Sequence, residues 1–277
     1  IRDIDLPNIV TLAVRFLDNV LDVGFIPHEK GAKFNQTDRA IGLGVMGYAE
    51  YLYQRHVRFD SPDHLQMAHD LFEQISYYAI HASASLAAER GSYPNFREST
   101  WARGVFPHES FETQGPDFPL TMNWARLRGK VIQGMRNSCL LAIAPTSTIS
   151  DIAGTTPCVE LPLENLSVRE NLAGTTRIAS PLCKYDEDPE TFSSVEMEAV
   201  IGAASIRQKF IDQSQSLNLR IRNRPRLGHY ISELYMMAWK LGVKTTYYLK
   251  PLSLDVTQVS PTVKVCSIDN PDCESCQ

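Results

Sequence analysis

Two cysteines, Cys273 and Cys276, stand three positions apart at the C-terminal end of the sequence. Thiols at this spacing are typical of proteins that exchange thiols and disulfides, in which a thiolate attacks through a mixed disulfide. The pair could also form half of a zinc site, but the neighbouring sequence adds only Cys266 and no histidine. The spacing favours a redox-active dithiol over zinc.

A polar turn, Pro145-Thr146-Ser147-Thr148-Ile149, directly follows the apolar run 138–144. Hydroxyls and free backbone N–H groups at the end of a buried strand can hold a phosphate without any lysine. An ordinary hydroxyl-capped turn that leads into a helix accounts for the same residues and is more frequent. The local pattern leaves both interpretations open.

Two adjacent tyrosines, Tyr247 and Tyr248, lie on a strand predicted over 243–249. Successive side chains of a strand point to opposite faces, and tyrosines in strands usually serve packing. Stacked tyrosines, in contrast, could relay an oxidising equivalent, because tyrosine is redox-active and carries a proton. The pair alone does not decide between these roles.

The run Gly42-Leu43-Gly44-Val45-Met46-Gly47 matches the spacing of dinucleotide-binding loops. Such a loop needs a preceding strand, so that the phosphate meets the start of a helix. Residues 35–39, which are polar, do not read as a strand. The glycines therefore favour close backbone packing over nucleotide binding.

The composition excludes several classes of protein. The 277 residues are 43% hydrophobic and carry a net charge of −5, with no dense run of Lys or Arg, so we expect no direct nucleic-acid binding. No apolar stretch is long enough to cross a membrane and no secretory signal is present, which predicts a cytoplasmic protein. Because the chain opens on Ile1 rather than Met, we expect a fragment or a split-gene product.

Helical periodicity, caps and stops predict an α/β architecture with parallel strands. Residues 92–120 read as an irregular surface excursion, and the run 138–144 as a strand buried on both faces. The prediction divides the chain into a domain over 1–250 and a flexible tail over 251–277. The predicted helices cover 7–23, 62–90, 124–133, 193–217 and 229–241.

Four segments, in this order and spacing, resemble the large catalytic subunit of class I ribonucleotide reductase: 39–47, 136–150, 210–218 and 244–248. The resemblance implies the C-terminal part of a ten-stranded α/β barrel. It implies that Pro145 to Ile149 hold the substrate diphosphate, and that Tyr247 and Tyr248 pass a radical inward. Cys273 and Cys276 would re-reduce the active-site disulfide.

The same resemblance implies several partners. A small subunit with a dimetal site would supply the radical, thioredoxin or glutaredoxin would reduce the dithiol, and a ribonucleoside diphosphate would be the substrate. This chain itself is expected to bind no cofactor.

Three parts of the family's pattern do not occur in the sequence: the Asn-x-Cys-x-Glu loop, the paired active-site cysteines and the ATP-binding cone. Effector sites for ATP and dATP are therefore expected on a complementary N-terminal part, and the chain alone is expected to be inactive. We keep two alternatives: a cobalamin-dependent reductase, and a non-catalytic phosphate-binding module with a zinc-binding tail.

Overall fold

The computed structural model describes residues 5–110, 115–171 and 174–252. Helices and short extended segments alternate along most of this part of the chain, and the segments that pair in parallel agree with the predicted α/β architecture. The helices are α1 Leu6–Val23, α2 Glu29–Asp38, α3 Tyr48–Tyr53, α4 Pro62–Arg90, α5 Trp124–Val131, α6 Ser147–Ala153, α7 Met197–Gln208 and α8 Leu227–Lys240. The strands are β1 Leu166–Asn171, β2 Gly174–Ala179, β3 Leu219–Arg222 and β4 Leu249–Leu252.

The two long helices predicted near the N-terminus are confirmed. In α4, Pro62 occupies the first turn, the Ser61 hydroxyl accepts the backbone N–H of His64 at 3.3 Å, and Gly91 follows the last residue with φ +86°. These are the start and stop signals that helices commonly use. Helix α1 packs lengthwise against α4.

Four extended segments, 41–43, 139–143, 213–222 and 247–252, lie side by side and run parallel. Leu43 pairs with Leu141, Ile143 pairs with Gln215, and β3 pairs with β4 in parallel. The run 138–144 is therefore extended between parallel neighbours, as predicted, but it pairs through the single bridges at Leu141 and Ile143, and its core residues are Leu140, Leu141 and Ile143. This mixed helix and sheet arrangement fits one part of an α/β barrel.

Some predicted boundaries are wrong. The helix predicted over 193–217 is α7, which begins at Met197 and ends at Gln208. The chain then turns and runs extended, because residues 213–222 complete their backbone hydrogen bonds by pairing with both neighbouring strands. Of the strand predicted over 243–249, only Leu249 belongs to β4, which begins there and continues through Leu252, two residues past the predicted end of the domain at 250.

The segment 92–120 is irregular, but the prediction that it is a surface excursion is wrong. Four of its aromatic side chains, Tyr93, Phe96, Trp101 and Phe106, belong to the hydrophobic core. The Trp101 indole N–H also donates to the carbonyl of Ser138 at 2.8 Å. The antiparallel hairpin of β1 and β2 had no signal that we recognised in the sequence.

A buried carboxylate joins several elements at the end of the strands opposite the polar turn. Asp18 of α1 is 0% exposed and accepts hydrogen bonds from Arg39 at 2.7 Å, Arg90 at 3.2 Å and Arg136 at 3.3 Å. The Asn137 amide adds a fourth donor at 3.2 Å. The ends of α2 and α4 and the entry to strand 139–143 are thereby held on α1.

Candidate active site

The glycine-rich run packs against the central strand. Leu43 exchanges backbone hydrogen bonds with Leu140 and Ala142. A Cβ atom added to Gly44 would lie 2.5 Å from the carbonyl oxygen of Ala142, well inside contact distance. Helix α2, not a strand, precedes the run. The prediction of close backbone packing is therefore confirmed, and the run lacks the context of a dinucleotide-binding loop.

The polar turn leaves the start of α6 without a side-chain cap. Thr146 adopts a left-handed conformation with φ 52°, and its hydroxyl accepts the backbone N–H of Cys158 at 2.7 Å, so it is not used to cap the helix. The N–H groups of a helix's first turn have no partner within the helix. Ser147, Thr148 and Ile149, which form this first turn, are exposed.

The chain that follows α6 is fixed by two buried carboxylates. Glu50 of α3 accepts the hydroxyl of Thr155 and the backbone N–H of Thr156, the latter at 2.9 Å. Glu160 accepts both the backbone and the side-chain N–H of Asn218, each at 2.8 Å. Asn218 lies between Leu217 and Leu219, whose backbones bond to Tyr247 and Tyr248. The contact between Glu160 and Asn218 therefore joins the loop after α6 to the strand beside the tyrosines.

Burial raises the pKa of two side chains in this loop, Glu160 and Cys158. It raises the pKa of the Glu160 carboxyl, although the N–H groups of Asn218 act in the opposite direction. Burial, with the charge of Glu160 second, raises the pKa of the Cys158 thiol to about 12. Cys158 therefore stays protonated near neutral pH, which does not suit a redox thiolate.

A fully buried guanidinium lies beneath the same loop. Arg207 of α7 donates from Nε to the side-chain oxygen of Gln215 at 3.2 Å, and its charge lies 5.6 Å from the centre of the Tyr48 ring. His64 contacts the Tyr48 hydroxyl at 3.0 Å through Nε2 and the carbonyl of Phe59 at 2.6 Å through Nδ1. A carbonyl only accepts, so Nδ1 carries the proton and Tyr48 donates to Nε2.

Burial, with the charge of Arg207 second, lowers the pKa of His64 to about 4. This imidazole therefore remains neutral near pH 7. The hydrogen bonds of His64 to Tyr48 and Phe59 therefore keep the same donors and acceptors across the neutral range.

The two tyrosines stand together immediately before β4. Their ring centres are 4.0 Å apart, and the Tyr247 hydroxyl donates to the Tyr248 hydroxyl at 3.1 Å. The prediction that they point to opposite faces is wrong, because regular strand geometry begins only at Leu249. Both rings are about half exposed, at 47% and 49%, so they are not core packing residues.

The turn, at the C-terminal end of the segment 139–143, and the tyrosine pair, at the start of β4, lie at the same level of the parallel strands. The backbone of 247–248 bonds to Leu217 and Leu219, which lie beyond the Gln215 position that pairs with Ile143. The pair is thus level with residues just past Ile143, where the turn begins. Two strand spacings separate them laterally, or about 10 Å.

Cys139 lies at the opposite end of its strand. It lines a cavity of about 400 Å³ together with Trp101, Asp212 and Lys244. Burial, with the charge of Asp212 second, raises the pKa of its thiol.

Cys273 and Cys276 lie outside the described residues, as does Cys266. Across residues 5–252, with the gaps stated above, no three His, Cys, Asp or Glu side chains come together as metal ligands. None of the helices in this part of the chain combines the length and apolar character needed to cross a membrane.

Sequence reasoning missed Glu160, Asn218 and Arg207. One signal was present for Glu160, a charged residue between Val159 and Leu161, and another for Arg207, a charged residue on a helix whose other faces are apolar. A buried charge needs a specific set of partners. Their pairing across distant parts of the chain had no local signature.

Comparisons with known proteins agree with this architecture. The profile of the family described as ribonucleotide reductase, barrel domain, matches residues 2–187 and 183–249. The ribonucleoside-diphosphate reductase subunit alpha of Helicobacter pylori strain J99 is 41% identical over 265 residues, which cover 92% of this chain and 34% of that protein.

Two further relatives carry similar names. The subunit alpha of Chlamydia muridarum is 35% identical over 294 residues, covering 91% of this chain and 28% of that protein. The large chain of Schizosaccharomyces pombe is 29% identical over 283 residues, covering 90% of this chain and 34% of that protein. The chain spans about a third of the length of the curated relatives it matches. It belongs to the ribonucleotide reductase barrel domain family.

Proposed function

We propose that this chain forms part of the catalytic subunit of an enzyme that reduces ribonucleoside diphosphates to deoxyribonucleoside diphosphates by radical chemistry. Its contributions are the diphosphate-binding turn at Pro145 to Ile149, the radical relay at Tyr247 and Tyr248, and the reducing dithiol at Cys273 and Cys276. The relatives' names refer to this reaction, and the chain corresponds to about a third of their length.

The observation that carries the proposal is the contact between the two tyrosines. Oxidation of a phenol removes an electron and makes its proton strongly acidic, so electron and proton must move together. When Tyr248 is a neutral radical, the Tyr247 hydroxyl, at 3.1 Å, transfers one hydrogen atom to it. Tyr248 regains its O–H bond and Tyr247 becomes the radical. Half-exposed rings suit a relay that begins at a second subunit.

The uncapped start of α6 supports diphosphate binding. Ordinary capping would use the Thr146 hydroxyl, but that group holds the N–H of Cys158 instead. The N–H groups of this exposed first turn together with the hydroxyls of Ser147 and Thr148 offer several donors to phosphate oxygens. The positive φ of Thr146 is held by the loop that Glu160 and Asn218 clamp.

The remaining chemistry involves the dithiol and the partners. The two tail thiols would be oxidised to a disulfide as they reduce the active-site disulfide by exchange, and thioredoxin or glutaredoxin would then reduce them. A dimetal small subunit supplies the radical, and a complementary N-terminal part supplies the catalytic cysteines and the ATP and dATP sites. The chain alone has no activity under this proposal.

The relay is tested by removing one hydroxyl at a time in the assembled enzyme. Tyr247→Phe and Tyr248→Phe each remove a redox group and a proton, so we expect turnover to fall at least about a hundredfold, the lower end of what a positioned proton donor contributes. Binding of the nucleoside diphosphate should not change. Turnover within twofold of the parent enzyme for both variants would contradict the relay.

Tyr185→Phe is the matched control. Tyr185 is also exposed, at 42%, and also stacks on a tyrosine, Tyr53, with ring centres 5.7 Å apart. It lies on a different surface element, after the β1 and β2 hairpin. We expect its loss to leave turnover unchanged, which separates the relay from a general effect of stacked tyrosines.

A further inference from the structure

A groove follows the seam between α4 and α5 and extends to residues 92–97. It consists of three cavities of about 180, 430 and 600 Å³. Lys130 lines the first and second, and Gln133 lines the second and third, so the three form one continuous row. The middle of the groove has a floor of small side chains, at Ala84, Ser85, Ala87, Ala88 and Gly134.

The groove is positively charged, although the whole protein is acidic. Arg97, Arg126 and Lys130 line it, and its lining contains no Asp or Glu. Arg126 and Lys130 lie one turn apart on α5. Neither they nor Arg97 form an ion pair with a carboxylate in the described part of the chain. The charges of these three cations are therefore not neutralised by a carboxylate, although the Lys130 ammonium also contacts His81.

One end of the groove is lined by aromatic side chains. The Lys130 ammonium donates to His81 Nε2 at 2.7 Å, so that imidazole is neutral. Burial first, then the charges of Lys130 and Arg126, lower the pKa of His81. Tyr77 and Tyr78 line the same end. The groove therefore offers cationic side chains along its walls and space above the small residues of its floor, which suits an extended acidic peptide.

The chain itself contains a segment of matching charge. Residues 265–277 carry Asp269, Asp272 and Glu274 and no Lys or Arg. Twelve residues, 253–264, separate this segment from the end of β4, and they can span about 40 Å, against a radius of gyration of about 18 Å for a compact domain of this size. A tethered segment also has an effective concentration on the order of millimolar.

We propose that the groove between α4 and α5 binds residues 265–277 of the same chain. The assignment rests on charge and reach, so it stands or fails independently of the proposed reductase activity. It has a chemical consequence for Cys273 and Cys276. Cations beside a thiol favour the thiolate, so the bound segment presents more reactive sulfur atoms than its own acidic residues would allow.

Disulfide trapping in the full chain tests the location. Ser85→Cys places a thiol on the floor of the groove, and Ser232→Cys places one on an exposed position of α8. Both are the same substitution on a helix, and α8 directly precedes the strand from which the segment leaves. Diamide takes up the two electrons and two protons released when the introduced thiol and a tail cysteine join.

We expect the Ser85→Cys chain to form an intramolecular disulfide with Cys273 or Cys276 at least ten times faster than the Ser232→Cys chain, with the partner identified by peptide mass spectrometry. Equal rates would overturn the proposal. Products linked between two copies would also overturn it, because they would place the segment in another chain's groove.

Charge reversal then tests the cause. Arg126→Glu with Lys130→Glu, in the Ser85→Cys chain, should remove the tenfold preference, whereas Lys240→Glu on α8 should keep it. Added salt at 0.5 M should weaken the preference without any mutation, because exposed charges are then screened within a few ångströms. A preference that survives both charge reversal and salt would overturn recognition by charge.

Discussion

At the scale of single residues, the sequence identified which groups could react but not how they meet. Tyr247 and Tyr248 were evident from their adjacency, and the dithiol from its spacing. The alternation rule placed the two rings on opposite faces, whereas the chain before Leu249 is not a regular strand and brings the hydroxyls to 3.1 Å. Local irregularity of this kind depends on tertiary pairing, which a sequence pattern does not reveal.

The hydroxyl contact makes a prediction about acidity. Tyr247 donates its proton to Tyr248, which stabilises the neutral phenol and raises the pKa of Tyr247 above its ordinary value of 10.0. In the Tyr248→Phe chain that acceptor is missing, so the pKa of Tyr247 should fall toward 10.0. NMR titration of ring-labelled tyrosine measures it. An unchanged pKa would show that the hydroxyls do not interact in solution.

A second residue-scale prediction concerns Asp18, which neutralises three arginines while 0% exposed. Asp18→Ala removes the buried carboxylate that the three guanidinium groups share and should lower the free energy of unfolding by about 3–5 kcal/mol, measured by denaturant titration. Asp22→Ala is the matched control, one turn further along α1. Its side chain is 45% exposed, so we expect a loss of about 1 kcal/mol or less.

Asp18 also predicts how the stability of the fold depends on pH. Burial raises its pKa, but the hydrogen bonds and charges of Arg39 and Arg136 outweigh burial and hold the pKa below its ordinary 3.8. A carboxyl with a depressed pKa stabilises the fold above that ordinary value and loses this contribution as the pH falls toward the folded-state pKa. The acid-induced loss of stability should therefore be shallower in Asp18→Ala. An identical slope would show that another carboxylate dominates.

At the scale of elements, hydrophobic periodicity and capping residues were sufficient for α1, α4 and the extended run 138–144. They failed where a segment's conformation is decided by its neighbours. Residues 213–217 were assigned to a helix, but they run extended between two strands. The aromatics of 92–120 were placed at the surface because prolines surround them, whereas Trp101 and Phe106 fill the core.

The glycine-rich run gives a test at this scale. Gly44→Ala would place a methyl group 2.5 Å from the Ala142 carbonyl oxygen, so one strand must shift, and we expect a loss of stability of about 1–3 kcal/mol. Gly129→Ala on α5 meets nothing within 4 Å and should stabilise the chain by about 0.5–1 kcal/mol. Thermal unfolding compares the two. Equal effects would contradict the close approach of 41–44 to the central strand.

At the scale of the whole molecule, one end of the parallel strands carries the proposed chemistry and the other carries the structural anchors. The turn at Pro145 to Ile149 follows the C-terminal end of the segment 139–143, where ligands gather in α/β folds, and the tyrosine pair at the start of β4 lies level with it. Asp18 and the Cys139 cavity lie at the opposite ends. This division could be expected from the fold class. The buried contacts of Glu160 and Arg207, which hold the loop after α6, could not be predicted from the sequence.

The central claim is that these parts belong to a ribonucleotide-reducing enzyme that needs further components. The most direct test mixes the chain with the complementary N-terminal part, the dimetal small subunit, thioredoxin and a ribonucleoside diphosphate, and measures the deoxyribonucleoside diphosphate formed. We predict product only when every component is present, and none from the chain alone. No product from the complete mixture, or product that depends on adenosylcobalamin and not on the small subunit, would contradict the account.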